Sequence, residues 1–456
     1  MMQAGHSAIS FLLEKFEASR DLEAVIWKNR STTFQSLLEL IEKTRQNLAG
    51  IPVGSLVALE AEFSPVSIAA LLVLIEKNAV IAPMSRLLPE QVRTDYGALA
   101  QVEFIVREQS GQNLTLTSTA AATSTAVLRH AHVEELRRRG RPGLILFSSG
   151  STGAPKAAVH DFSFLLDKFK TPRHQRRMIS FLLFDHIGGV NTLFYCLANA
   201  GCLITVEDRR PATVMKTIEQ FKAEILPTSP TFLKLMLLSR ANENRDLSSL
   251  KLITYGTEPM PESTLRELHQ VFPGVDLLQT YGLSELGILR SQSRSPDSLW
   301  VKIGGDGFQT RVVDGLLEIK AASSMLGYLN AESPFTADGW FKTGDVVKVD
   351  GPWLQILGRR SELINVGGEK VFPAEVESVL QEMEGVLSAV VSGEPNALLG
   401  HIIKASVQLG KEETLSHFRA RMRLFCKDRL APFKIPQLVE FAKHELHSIR
   451  YKKNRT

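Results

Sequence analysis

Short apolar runs alternate with longer amphipathic stretches over most of this chain. Residues 56–60, 80–83, 104–107 and 144–147 are brief runs bounded by polar or turn residues, the pattern of buried strands. The longer run 66–75 reads as a helix apolar on every side. Further on, strands are predicted over 178–184, 202–206, 224–227, 250–255 and 276–281. Helices fall between or beside them, over 190–197, 213–221, 231–239 and 261–271. This alternation predicts an α/β fold, a large N-terminal domain of layered, largely parallel sheets with helices on their faces. In such sheets ligands gather at the carboxyl ends of strands.

The texture changes over residues 296–358 to short strands and glycine-rich turns, such as Gly304-Gly305-Asp306-Gly307 and Asp314-Gly315, which reads as a β-rich subdomain. Beyond Gly358 a small α+β pattern follows. Pro373 opens an amphipathic helix with apolar Val376, Val379, Leu380 and Met383. Strands over 386–391 and 402–409 and a basic helix over 413–428 come next. The expected organisation is therefore a large domain, 1–358, and a small C-terminal one, 359–456.

At 456 residues the chain exceeds what one core usually serves. Its 53 basic and 49 acidic residues leave a formal charge of only +4, which argues against a nucleic-acid binder held by bulk charge. The basic run at Arg137–Arg139 reads as a solvated turn. Cys196, Cys202 and Cys426 lack metal-ligand spacing and read as reduced thiols. No signal peptide is evident and no run reaches transmembrane length, so a cytoplasmic enzyme is expected.

The densest chemistry lies just past the run 144–147. Ser148, Ser149, Gly150, Ser151, Thr152, Gly153, Ala154, Pro155 and Lys156 combine hydroxyls, glycines and a lysine. Glycines let backbone N–H groups converge, hydroxyls add donors and Lys156 adds a compact charge, which suits a polyphosphate. A Ser/Thr/Gly cluster can also be a plain solvated turn. The Walker pattern fails here, since Pro155 precedes the lysine.

The run resembles the phosphate loop of the adenylate-forming superfamily, which comprises acyl-CoA synthetases, luciferases and peptide-synthetase adenylation domains. Further segments match in the family's order. The resemblance implies that Gly256-Thr257-Glu258-Pro259 backs the adenine of ATP. In Tyr281-Gly282-Leu283-Ser284-Glu285 it implies that Tyr281 covers the adenine and Gly282 turns the chain. Ser284 would bond phosphate oxygens and Glu285 would hold Mg2+. It assigns both ribose hydroxyls to Asp345, in Gly339-Trp340-Phe341-Lys342-Thr343-Gly344-Asp345, and a nucleotide contact to Arg359. It reads Ser361 as the hinge of a mobile lid, with Gly368 beside a pantetheine arm. Lys370 is either a CoA phosphate contact or a surface lysine.

The tail departs from the family's pattern. Aligned on Glu445-Leu446, it places Lys453 at the lysine that bridges the acid's carboxylate and the α-phosphate. Lys452 then stands where glycine is usual, and the family's proline and threonine are absent. The competing reading is a frayed, solvated end.

The resemblance implies ATP-dependent activation of a small carboxylic acid through an acyl-adenylate, then thioester formation with coenzyme A. The alternative acceptor is the phosphopantetheine of an acyl carrier protein. A catalytically silent nucleotide or acyl-AMP sensor is the third reading. Asp185, His186, Gly188 and Gly189 correspond to the substrate gate. His186 is either a substrate contact or an ordinary strand-end histidine, and Asp185 could instead bind an amino acid's ammonium. The apolar surround, 178–184 and 190–194, favours an aromatic or aliphatic acid.

Overall fold

The computed structural model describes residues 7–123, 130–149, 155–206, 208–305, 307–448 and 450–453. Two seven-stranded sheets form the body. In spatial order the first runs Asp276–Gln279, Leu252–Tyr255, Ile225–Thr228, Arg177–Ser180, Cys202–Thr205, Glu23–Trp27 and Arg30–Thr33. All neighbours in it are parallel except the last pair. The second runs Gly327–Tyr328, Pro155–Asp161, Gly143–Ser149, Val80–Met84, Leu56–Glu60, Phe104–Gln109 and Asn113–Ser118. Its middle strands are parallel and its edges antiparallel.

One hydrophobic core joins the sheets, with helices Phe34–Asn47, Pro65–Glu76 and Ile187–Ala198 packed between them. Helix Pro65–Glu76 can lie there because it is apolar all round, and every residue from Ser67 to Ile75 is buried. Ser64 and Ser67 cap it reciprocally and Pro65 sits at its first turn, where no N–H is needed.

A six-stranded antiparallel sheet spanning residues 291–359 supplies the expected β-rich part. Its strand Trp353–Arg359 runs into the tight turn Arg360–Glu362, and Ile364–Val366 then opens the small domain's own sheet. Helices Pro373–Leu380 and Leu415–Cys426 cover that sheet around a separate core built from residues 364–441.

Several boundaries differ from expectation. The strand predicted over 178–184 stops at Ser180, because the chain turns there into the cap of helix Ile187–Ala198. Helices Ser10–Glu17 and Phe34–Asn47 and strands Glu23–Trp27 and Arg30–Thr33 were not anticipated. Thr33 caps the longer helix and Phe34, Leu37 and Ile41 are buried at helical spacing, a signal that was there to read. Arg137–Arg139 end helix Ala131–Arg139 rather than forming a turn, and Arg137 pairs with Glu103 at 2.7 Å. All three cysteines are buried and free. No described helix is long and apolar enough to cross a membrane.

Candidate active site

The strands Gly143–Ser149 and Pro155–Asp161, which flank the hydroxyl-rich segment, pair with each other. Ser148 faces Lys156 and Ser149 faces Pro155 across an antiparallel ladder, so these residues belong to strands and not to the loop expected over 148–156. Gly150, Ser151, Thr152 and Gly153 lie outside the described residues. The Lys156 ammonium sits over the ring of Tyr328, 5.4 Å from its centroid. Tyr328 reaches it because Gly327–Tyr328 adds a short strand beside Pro155–Asp161.

Tyr281, just past the strand Asp276–Gln279, donates its phenolic O–H to Asp345 on the strand Phe341–Asp350. Thr343 Oγ1 accepts from the Asp345 backbone N–H at 3.0 Å, and Arg359 stands 3.6 Å from the other carboxylate oxygen of Asp345. Burial raises the Asp345 carboxyl above its ordinary range, opposed by the Tyr281 hydrogen bond and the Arg359 charge. Burial, then Asp345, pushes the Tyr281 phenol well up, so it stays protonated as the donor. The residues assigned to base and sugar thus form one connected wall.

Ser284 and Glu285 follow on the same turn. The Ser284 carbonyl accepts from His160 Nε2 at 2.6 Å, and burial holds that imidazole neutral. One Glu285 oxygen accepts from the Tyr328 hydroxyl at 2.7 Å, while its backbone carbonyl accepts from the Met325 N–H at 2.8 Å. His160 was not anticipated, because it lies past Lys156, where the matched run ends, and its partner Ser284 is distant in sequence.

The segment Gly256–Pro259 follows strand Leu252–Tyr255. A Cβ on Gly256 would lie 2.7 Å from the Thr280 carbonyl oxygen, so the two strand ends approach only because it has none. Thr257 is held at φ +76°, a left-handed conformation that costs a β-branched residue on the order of 1–3 kcal/mol. Glu258 accepts from the Thr231 N–H at 2.8 Å and from the Lys453 N–H at 3.4 Å, joining the large domain to the tail.

His186 caps helix Ile187–Ala198, its Nδ1 accepting from the Gly188 N–H at 3.0 Å. That bond leaves the proton on Nε2. Burial first, then Lys452 and Arg450, push its pKa well below the usual value. His186 thus caps a helix and also lines the main cavity. Asp185 is buried and paired with Arg450 at 2.8 Å. The carboxylate suggested for a substrate ammonium is already engaged by the chain's own tail.

That tail is docked, not frayed. The Tyr451 ring packs against Phe181 and Phe232 and stacks on His447, and its carbonyl accepts from Ser229 Oγ at 2.8 Å. The Ser448 N–H donates to the Lys452 carbonyl at 2.8 Å, closing a tight turn. Lys453, the expected catalytic lysine, has its ammonium on Glu377 of helix Pro373–Leu380 at 2.8 Å. Its neighbour Lys452 stands instead among Glu258, Glu285, Arg450, Arg359 and His186.

These elements enclose a cavity of about 760 Å³ between the large and small domains. Ser148, Glu285 and Arg359 line it from one side, and Val391, Ser392 and His401 of the small domain from the other. Gly368 and Lys370 are exposed, on and beside a turn where the Gly368 N–H bonds Asn365 Oδ1 at 3.1 Å.

The family model of AMP-binding enzymes matches residues 12–328, and that of the AMP-binding enzyme C-terminal domain matches 375–453. The chain is 29% identical over 328 residues to the indoleacetate–CoA ligase of Aromatoleum aromaticum, covering 66% of this chain and 63% of that protein. It is 30% identical over 326 residues to the 2-succinylbenzoate–CoA ligase of Enterococcus faecalis, covering 65% of each. The chain thus spans under two thirds of those relatives' lengths. In overall fold it resembles the crystal structure of an anthranilate–CoA ligase in complex with anthranoyl-AMP, with a TM-score of 0.83 at 20% identity, covering 98% of this chain and 95% of that one. A family match that runs through both the large domain and the small one makes this chain a member of the AMP-binding enzymes, the adenylate-forming superfamily that its motifs resemble.

Proposed function

We propose that the chain is an AMP-forming acid–thiol ligase. A carboxylate oxygen attacks the α-phosphorus of ATP, pyrophosphate leaves, and an acyl-adenylate results. A thiol sulfur then attacks the acyl carbon, AMP leaves and the thiol proton goes to solvent, giving a thioester. One observation carries this reading: Glu285, Arg359 and the lysines of the tail line a single cavity, and Arg359 stands beside the Asp345 carboxylate that Tyr281 bonds.

Within it, Asp345 accepts the two ribose hydroxyls and Tyr281 and the 256–259 segment frame the base. Arg359 and Lys156 offset phosphate charge, as do the hydroxyls and N–H groups of 148–153. Anion attacking anion is the difficulty, and preorganised cations at the α-phosphate answer it. A magnesium ion would suit the hard carboxylate oxygen of Glu285 and would neutralise further phosphate charge. No group of three or more His, Cys, Asp or Glu side chains fit to hold a metal occurs among the described residues, so such an ion would arrive with the nucleotide.

Leu182, Ile187, Leu283 and Ile288 give the acid side of the cavity an apolar wall, with His186 as its polar point. An aromatic or aliphatic acid fits that wall, in keeping with relatives named as ligases of indoleacetate and 2-succinylbenzoate. Coenzyme A is the acceptor that their names print, with Gly368 beside its pantetheine arm and Lys370 at one of its phosphates in this reading. After adenylation the small domain would turn about Ser361 to admit the thiol.

Exchange of labelled pyrophosphate into ATP, run with a panel of aromatic and aliphatic acids, tests the first step. Acid-dependent exchange is expected. Nucleotide binding without exchange for any acid would overturn the reading in favour of a sensor. Thioester formation with coenzyme A, compared with a phosphopantetheinylated carrier protein, then tests the acceptor.

A further inference from the structure

The described tail ends in two adjacent lysines, and the fold sends them to different places. Lys453 Nζ is 2.8 Å from Glu377 Oε2, with the two side chains 10% and 1% exposed. The other Glu377 oxygen accepts from the Val391 N–H at 3.0 Å, so this carboxylate is tied into the small domain's core. Drawing Lys453 away would take a cation from a buried carboxylate, which is costly in a low-dielectric setting.

Lys452 has the opposite surroundings. Both lysines line the main cavity, but only Lys452 also lines the narrow recess that His186, Arg209, Thr257 and Arg450 share with it. Its Nζ makes no hydrogen bond or ion pair among the described residues. Glu258 and Glu285 attract its charge and Arg450 and Arg359 repel it. Burial, with Arg450 next, brings its pKa down to about 8. An ammonium lining this cavity, with no partner among the described residues, calls for an anion, and the reaction brings two.

The neighbours hold this arrangement in place. Arg450 is tied to Asp185 and Tyr451 is wedged against Phe181 and Phe232, so the backbone at Lys452 is fixed from the large domain. Lys453 fixes it from the small domain through Glu377. With the Lys453 ammonium held on Glu377 of the small domain, the Lys452 ammonium is left toward the cavity and its recess.

We propose that Lys452, not Lys453, presents the ammonium that bridges the attacking carboxylate and the α-phosphate, and that Lys453 positions it by anchoring the tail to Glu377. This rests on the acid–thiol ligase reading and assigns one of its reacting-site groups.

The test compares half-reactions. Lys452→Ala should lower pyrophosphate exchange by about 10²-fold, the size seen when one oriented charge is removed from a transition state. It should leave thioester formation from synthetic acyl-adenylate and coenzyme A close to wild type. Lys452→Arg should recover part of the exchange. Lys453→Arg keeps a cation for Glu377 and should lose far less exchange than Lys452→Ala while folded by circular dichroism. Loss of exchange in folded Lys453→Arg, with Lys452→Ala active, would overturn the assignment. So would equal loss of both half-reactions in Lys452→Ala, which marks a merely structural role. A wild-type protein that exchanges with no acid would sink the ligase reading itself, an outcome distinct from either.

Discussion

Gly188 and Gly189 are adjacent in the first turn of helix Ile187–Ala198, yet they face opposite consequences on gaining a methyl group. At Gly189 an added Cβ would lie 2.0 Å from the Leu183 carbonyl oxygen and 2.9 Å from that of Leu182. These are backbone atoms that no rotamer change can move. Ordinary contact begins near 3.4 Å, so about 1.4 Å of extra room is needed. The Leu183 carbonyl also accepts from the His186 N–H at 3.1 Å, so the displacement passes straight to the cap of the helix. Overpacking of this kind costs about 1–3 kcal/mol, offset by up to about 1 kcal/mol from replacing glycine in a helix. At Gly188 the nearest atom is Leu182 Cδ1 at 2.4 Å, the end of a flexible side chain. Gly188→Ala should therefore unfold near the wild-type urea midpoint or slightly above it, while Gly189→Ala should be the less stable by about 1–2 kcal/mol at unchanged m-value. Because Gly188 lines the cavity, its methyl should raise the KM for a bulky acid more than that for ATP. Equal stability of the two variants would refute the argument.

Tyr281→Phe removes a hydrogen bond to a buried carboxylate; calorimetry should show ATP or AMP bound about 10-fold more weakly, as loss of a charge-assisted bond predicts, with the acid's KM little changed. Asp345 adds a pH dependence. Its folded pKa is raised, so its contribution to stability is present at low pH and is lost as pH rises through that value. Nucleotide binding runs the other way, because the ribose hydroxyls need the ionised form. Affinity should therefore fall on acidification at a pH above the usual aspartate range, and Arg359→Met, which removes a charge opposing the rise, should move that fall to higher pH. Glu285→Gln keeps a partner for the Tyr328 hydroxyl but halves the charge logic of the site. Pyrophosphate exchange should drop by about 10²-fold with a shifted magnesium dependence, and an unchanged magnesium titration would contradict the role.

Much of the architecture was legible along the chain because apolar runs answer to a local rule. Strands such as Leu56–Glu60 and the all-round apolar helix Pro65–Glu76 are written in consecutive residues, and so are the small domain's helix Pro373–Leu380 and hairpin 386–409. The motifs around Tyr281, Asp345 and Arg359 were legible for the same reason, each being contiguous. Their joining was not: Tyr281 meets Asp345 across 64 positions, and His160 meets Ser284 across 124, contacts set by which strands become neighbours. The tail shows the limit most clearly. Counting along the chain puts Lys453 at the reacting site, since register is all that sequence offers. Which way each lysine points was decided by partners remote in sequence, Glu377 for one and the Asp185–Arg450 pair and the Phe181–Phe232 slot for the other. Local periodicity thus specified many of the elements and contiguous motifs pointed to the family, whereas the electrostatic surroundings of each reactive group existed only once distant segments had packed together.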